Sequence, residues 1–168
     1  MVPPGSDYLL WLASLSLAFV GFTAIIVALR REVGGEFNDL HRVVARYFIE
    51  TGLAITAFCL LPAALSLTNM PALTVWRTAS AVAGLLTTVL AISLVRRARS
   101  VKSGRIPSVY VNSAISIIPL AIFWLNAIGV PFAPNANAYA LALTLFLFVV
   151  WWSFLQNLGS FIEPPSSR

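Results

Sequence analysis

Charge is the scarcest commodity in this chain: of 168 residues only 10% are charged, while 59% are hydrophobic. A soluble domain carries about 25% charged residues to hold a water-facing surface. With less than half of that, the chain cannot cover itself in water, and its outer surface is expected to be lipid. Cysteine is nearly absent as well. Cys59 stands alone inside an apolar run, which excludes an intrachain disulfide and any cysteine-based metal site within one chain. His41 is the one histidine and lies in a polar segment beside Arg42, so one chain cannot supply two histidines to a haem. No glycine-rich phosphate loop, no cluster of His, Asp and Glu, and no Ser–His or Ser–Lys pairing is present. An intramembrane enzyme needs at least two converging polar catalysts, and Glu50 with Asn112 is the nearest approach to such a pair. The expectation is a protein that is not an enzyme and holds no cofactor.

What the chain does have is five long apolar runs. They predict an all-α integral membrane protein, a bundle of five transmembrane helices over about 8–29, 39–67, 73–95, 108–128 and 136–161. Residues 1–168 are read as a single transmembrane domain, with 162–168 a disordered tail. The first run is not preceded by Lys or Arg, lacks a small-x-small cleavage site, and ends directly in Arg30 and Arg31. That is the pattern of an uncleaved stop-transfer helix rather than of a signal peptide. Gly34 and Gly35 break it, and Asn38 or Asp39 is placed to cap the second helix.

Positive charge sets the orientation. Arg30, Arg31 and Arg42 fall between the first two helices, and Arg96, Arg97, Arg99, Lys102 and Arg105 between the third and fourth. The intervening loops hold only Arg77. Loops rich in Lys and Arg stay in the cytoplasm, so the N-terminus is expected outside and the C-terminus inside. Tyr8, Trp11, Trp76, Trp124 and Tyr139 then map to the outer interface, Tyr47 and Tyr110 to the inner one. The net charge of +5 is confined to the ends of spans. It suits anionic headgroups at Arg96, Arg97, Arg99, Lys102 and Arg105, and not nucleic acid. The segment GFTAIIVALRR resembles small bacterial inner-membrane proteins, which implies that membrane as the location.

Polar groups inside a span are costly, about 2.5–3.5 kcal/mol for a charge on insertion scales, and are functional candidates by default. Glu50 lies one helical turn past Arg46, so the two can meet on one face. They read either as a structural ion pair or as a charged ring at the inner mouth of a pore. Asn112, Ser116, Pro119, Phe123 and Asn126 are spaced four, three, four and three apart and share one face of the fourth helix. Pro119 cannot donate to the carbonyl of Ile115, which leaves that oxygen for a kink, water or another donor. The stripe reads either as helix–helix glue or as a hydrated pathway.

Small residues line the first helix at Ser14, Ala18, Gly21, Ala24 and Ala28, and the third at Ser80, Gly84, Thr87 and Ala91. Such faces permit close backbone approach, within the chain or between subunits. The function expected from these features is a self-associating pore or transporter for an ion or small polar solute. Its candidate pathway residues are Glu50, Arg46, Asn112, Ser116, Pro119 and Asn126. The alternative is a non-catalytic accessory subunit of a larger membrane complex.

Overall fold

A computed structural model describes residues 5–32, 39–100, 111 and 114–162. Among them the chain forms five helices: α1 Ser6–Glu32, α2 Asp39–Ser66, α3 Ala72–Ser100, α4 Ile117–Ile128 and α5 Ala136–Ile162. Four of these are long and apolar enough to cross a membrane, over Ser6–Leu29, Arg42–Ser66, Ala72–Arg97 and Ala136–Leu158. The 12 residues of α4 rise about 18 Å, short of the ~30 Å hydrocarbon core. Helix four was expected to start at 108, but 108–110 lie outside the described residues, as do 163–168 of the expected tail. The helical run is interrupted at Ser116, whose backbone stays right-handed at φ −65° and ψ −12°. Pro119 is the cause that its position suggests, because its ring cannot donate to the turn before it.

The reversals are made by residues suited to them. α2 ends in successive turns, with Leu67 N donating to Ala64 O and Thr68 N to Leu65 O, before Asn69 turns left-handed at φ 55°. Gly129 closes α4 at φ 86°, its N–H on Leu125 O at 2.9 Å. Asn135 caps α5, accepting from Ala138 N at 2.9 Å.

α1 to α4 form an arc in chain order, each packed on the next except that α1 and α4 do not meet. α5 fills the concave side and touches all four. Burial follows: 56% of the most apolar stretch of α5 is buried, against 22–39% in the other three spans. Two aromatic clusters join the helices. Phe19 of α1, Phe48 of α2 and Phe154 of α5 meet edge to face at 5.2–6.1 Å. Trp76 of α3, Phe123 of α4 and Tyr139 of α5 meet toward the other end, at 5.7 and 5.8 Å.

The outer surface is apolar: Trp11 is 79% exposed, and Leu17, Phe22, Ile25, Leu85, Phe148 and Trp152 stand exposed around the bundle. The interior holds Ser16, Thr23, Ser80, Thr87, Asn126 and Ser153. Large apolar side chains outside and hydroxyls and an amide inside are the distribution of a helical protein surrounded by lipid.

Two aromatics expected at the outer interface turn into the bundle. Trp76 and Tyr139 are buried among the helices, and the Tyr139 hydroxyl donates to Phe58 O at 2.8 Å. Pro62 explains the partner: it lies four residues past Phe58 and has no N–H to give that carbonyl.

Candidate functional site

Polar side chains gather at two levels of the bundle. The end where α3 carries Arg96, Arg97 and Arg99 is here the basic end; the α4–α5 loop lies at the opposite end.

At the basic end Glu50 is held from two helices. Arg46 Nε lies 2.5 Å from Oε1, one turn earlier on α2, and Arg97 Nη1 lies 2.8 Å from Oε2, reaching across from α3. The expected pair is present, and a second arginine joins it. Glu50 and Arg97 are about one-third exposed or less, at 29% and 33%, while Arg46 is 68% exposed. An exposed i, i+4 pair contributes about 0.3–0.5 kcal/mol; the less exposed α2–α3 bridge is the member that fixes one helix against another. Arg97 was legible only as a headgroup-facing charge. The signal that pairs it with Glu50 is antiparallel neighbourhood: the start of α2 and the end of α3 share one level.

At the opposite end Asn126 of α4 is fully buried. Its Nδ2 donates to Ser80 Oγ at 2.7 Å and to Asn135 O at 3.2 Å, and its Oδ1 accepts from Asn135 N at 3.0 Å. One amide thus ties α3, α4 and the cap of α5 together. Pro119 and Phe123 are buried on the same face, so the stripe of α4 points into the protein. Asn112 lies outside the described residues.

The stripes of small residues part company. On α3, Ser80, Gly84 and Thr87 are buried, and a Cβ on Gly84 would sit 3.3–3.4 Å from Trp124 and Phe123 of α4. On α1, Ser14, Ala18, Gly21, Ala24 and Ala28 are all exposed, and a Cβ on Gly21 would meet nothing. α1 packs on α2 through other residues. Ser16 Oγ donates to Gly52 O at 2.8 Å, and a Cβ on Gly52 would overlap the Val20 methyl.

A cavity of about 80 Å³ is walled by all of α2 to α5: Tyr47 from α2, Thr87 and Leu94 from α3, Leu120 from α4, Phe146 from α5, with Ser116 at the start of α4. It sits in the basic half, where Tyr47 is three residues before Glu50 on α2 and Leu94 three before Arg97 on the antiparallel α3. Above it the bundle is closed by Phe123, Tyr139 and the Asn126 amide, all fully buried. Ser116 was expected here. Tyr47 and Thr87 were legible only as an interfacial aromatic and a packing residue, because a cavity wall is assembled from helices distant in sequence.

A wider groove of about 300 Å³ runs between α1 and α5 past Trp11, Leu15, Phe148 and Trp151, and its Tyr8 and Thr144 hydroxyls are already paired at 2.6 Å. Among the described residues no group of three or more His, Cys, Asp or Glu could hold a metal ion. No family model, no protein of curated function and no solved structure matches the chain.

Proposed function

We propose that the protein is a five-helix transporter that takes a small polar solute through each protomer, with the cavity as its solute site. The observation that carries this reading is the asymmetry of the core. The basic half holds a largely apolar cavity with Tyr47, Thr87 and Ser116 on its wall, while the opposite half is packed shut around Asn126. A continuous pore on an axis between subunits is the less favoured geometry, because Pro119, Phe123 and Asn126 are buried inside one chain.

In this reading the N-terminus is outside and the C-terminus is cytoplasmic, in a bacterial inner membrane. Arg96, Arg97, Arg99, Lys102 and Arg105 then meet anionic headgroups. The cavity faces the cytoplasm, Glu50 with Arg46 and Arg97 braces its inner rim, and the Asn126 amide is the outer gate. Ser116 and Pro119 place a break in α4 beside the solute, where a helix is most readily re-aimed. The protein in proteoliposomes is expected to pass small polar solutes above the rate of empty liposomes. Ser116→Leu, which fills the cavity, is expected to reduce that flux at least tenfold. A panel of neutral and ionic solutes that all leak at the empty-liposome rate would end the transport reading.

The exposed small-residue face of α1 favours a second reading, an accessory subunit packed on a larger membrane complex. It predicts co-purification in fixed ratio with another membrane protein and no flux by the isolated chain.

A further inference from the structure

Thr87 lines the cavity, and its hydroxyl oxygen, shut off from the cavity in the present rotamer, is one that the packing does not satisfy. Four helical threonines turn back onto the carbonyl four residues earlier: Thr23 on Phe19, Thr56 on Gly52, Thr88 on Gly84 and Thr144 on Ala140, at 2.7–3.0 Å. Thr87 does not. Its residue is 2% exposed, and its Oγ1 is buried with no hydrogen-bond partner. Thr51 Oγ1 and Trp151 Nε1 share that unpartnered state, but neither residue lines this cavity. A buried hydroxyl without a partner is costly, and a protein retains one where a use compensates. Threonine in a helix populates two χ1 wells. Turning between them exchanges methyl and hydroxyl, and the cavity beside Thr87 has room for a partner to meet it.

The remainder of the wall defines that partner. Most of it is apolar, from Leu90, Ala91, Leu94, Ile117, Leu120 and Phe146; Tyr47, Thr87 and Ser116 are its hydroxyl-bearing residues, and the Thr87 oxygen reaches it on turning to the other χ1 well. Among the described residues the wall carries no Asp, Glu, Lys or Arg. The nearby carboxylate, Glu50, is already engaged by two arginines. An ion in such a place would lose its hydration with no counter-charge to replace it. A cavity of about 80 Å³ is roughly half of the ~150 Å³ that accommodates a benzene molecule, room for a molecule of a few heavy atoms.

We propose that the cavity binds a small uncharged molecule of the alcohol class, its hydroxyl on Thr87 and Ser116 and its carbon end against Leu120 and Phe146. This deepens the transport reading, on which its purpose rests, although the binding itself does not depend on flux. Thr87 serves as the ligand's hydrogen-bond partner, and Tyr47 closes the end of the site nearer the ion pairs. Among the described residues the wall offers a charged solute no counter-charge.

Bromine makes the test direct. Crystals of the full chain grown in lipid and soaked in bromoethanol are expected to show an anomalous bromine peak in the cavity, and crystals soaked in sodium bromide none there. Thr87→Val is expected to lower bromoethanol occupancy severalfold while melting at the same temperature or higher, since it removes an unpartnered hydroxyl. Ser116→Leu is expected to abolish the peak, and supplies the comparison if Thr87→Val does not fold. A bromide peak in the cavity, a lone ordered water on Thr87 in place of bromoethanol, or unchanged occupancy in Thr87→Val would each overturn the assignment. A bromoethanol peak in a protein that gives no flux would leave this site standing and remove the transport reading; flux without the peak would do the reverse.

Discussion

Pro62 and Tyr139 show how a single residue can create a requirement that another, distant in sequence, meets. A proline inside a helix withholds an N–H from the carbonyl four residues before it. For Pro62 that carbonyl belongs to Phe58, and the buried Tyr139 hydroxyl supplies the missing donor at 2.8 Å. Tyr139→Phe therefore leaves a carbonyl unsatisfied in a low-dielectric interior and is expected to destabilise the fold by about 1–3 kcal/mol. Pro62→Ala restores the helix's own N–H, so the Tyr139→Phe loss should shrink by about 1 kcal/mol in that background. Reversible unfolding of the four proteins in detergent reads the coupling, and strictly additive losses would contradict it. Pro62 by itself implies an unpaired carbonyl at Phe58. Its partner was not, because the contact spans 81 residues and an aromatic near a helix start reads by default as an interfacial anchor.

At the scale of elements, two helices with similar small-residue stripes have opposite fates. Ser80, Gly84 and Thr87 of α3 face α4, whereas Ser14, Ala18 and Gly21 of α1 face outward. Periodicity established that each stripe occupied one face; it carried no information about which neighbour that face would meet. The real α1–α2 contact uses Gly52, an isolated glycine with no stripe around it. Gly52→Val drives a side chain into Val20 and the Ser16 turn, and is expected to destabilise by about 1–3 kcal/mol, as overpacked sites do. Gly21→Val meets open space and should stay within about 0.5 kcal/mol of wild type. Thermal unfolding of the two variants side by side separates the faces; equal losses would contradict the packing described here. Should Gly21→Val alter only the apparent mass in mild detergent, the α1 face is a contact between chains.

At the scale of the whole molecule, hydropathy was the strongest signal. The boundaries expected for the four long spans lie within a few residues of α1, α2, α3 and α5, because runs of this length have one cheap conformation in lipid. The fourth run was the weaker one: Pro119 and the turn at Ser116 leave a short described helix where an uninterrupted span was expected. The candidate site was half legible. Glu50, Arg46, Ser116, Pro119 and Asn126 stood out as costly polar or helix-breaking groups, yet their grouping into two ion pairs, an amide tie and a cavity depended on which helices became neighbours. The proposed asymmetry between halves is the central claim, and accessibility tests it without knowledge of the solute. Single cysteines at Ser116 and Ser80, in a Cys59→Ala background, would be challenged with a small membrane-impermeant thiol reagent from each face of sealed vesicles. The account predicts that Ser116→Cys is modified from the face of the arginine cluster alone, while Ser80→Cys, beyond Phe123 and beside Asn126, is protected from both. Modification of Ser80→Cys from the far face, or protection of Ser116→Cys from both, would contradict it.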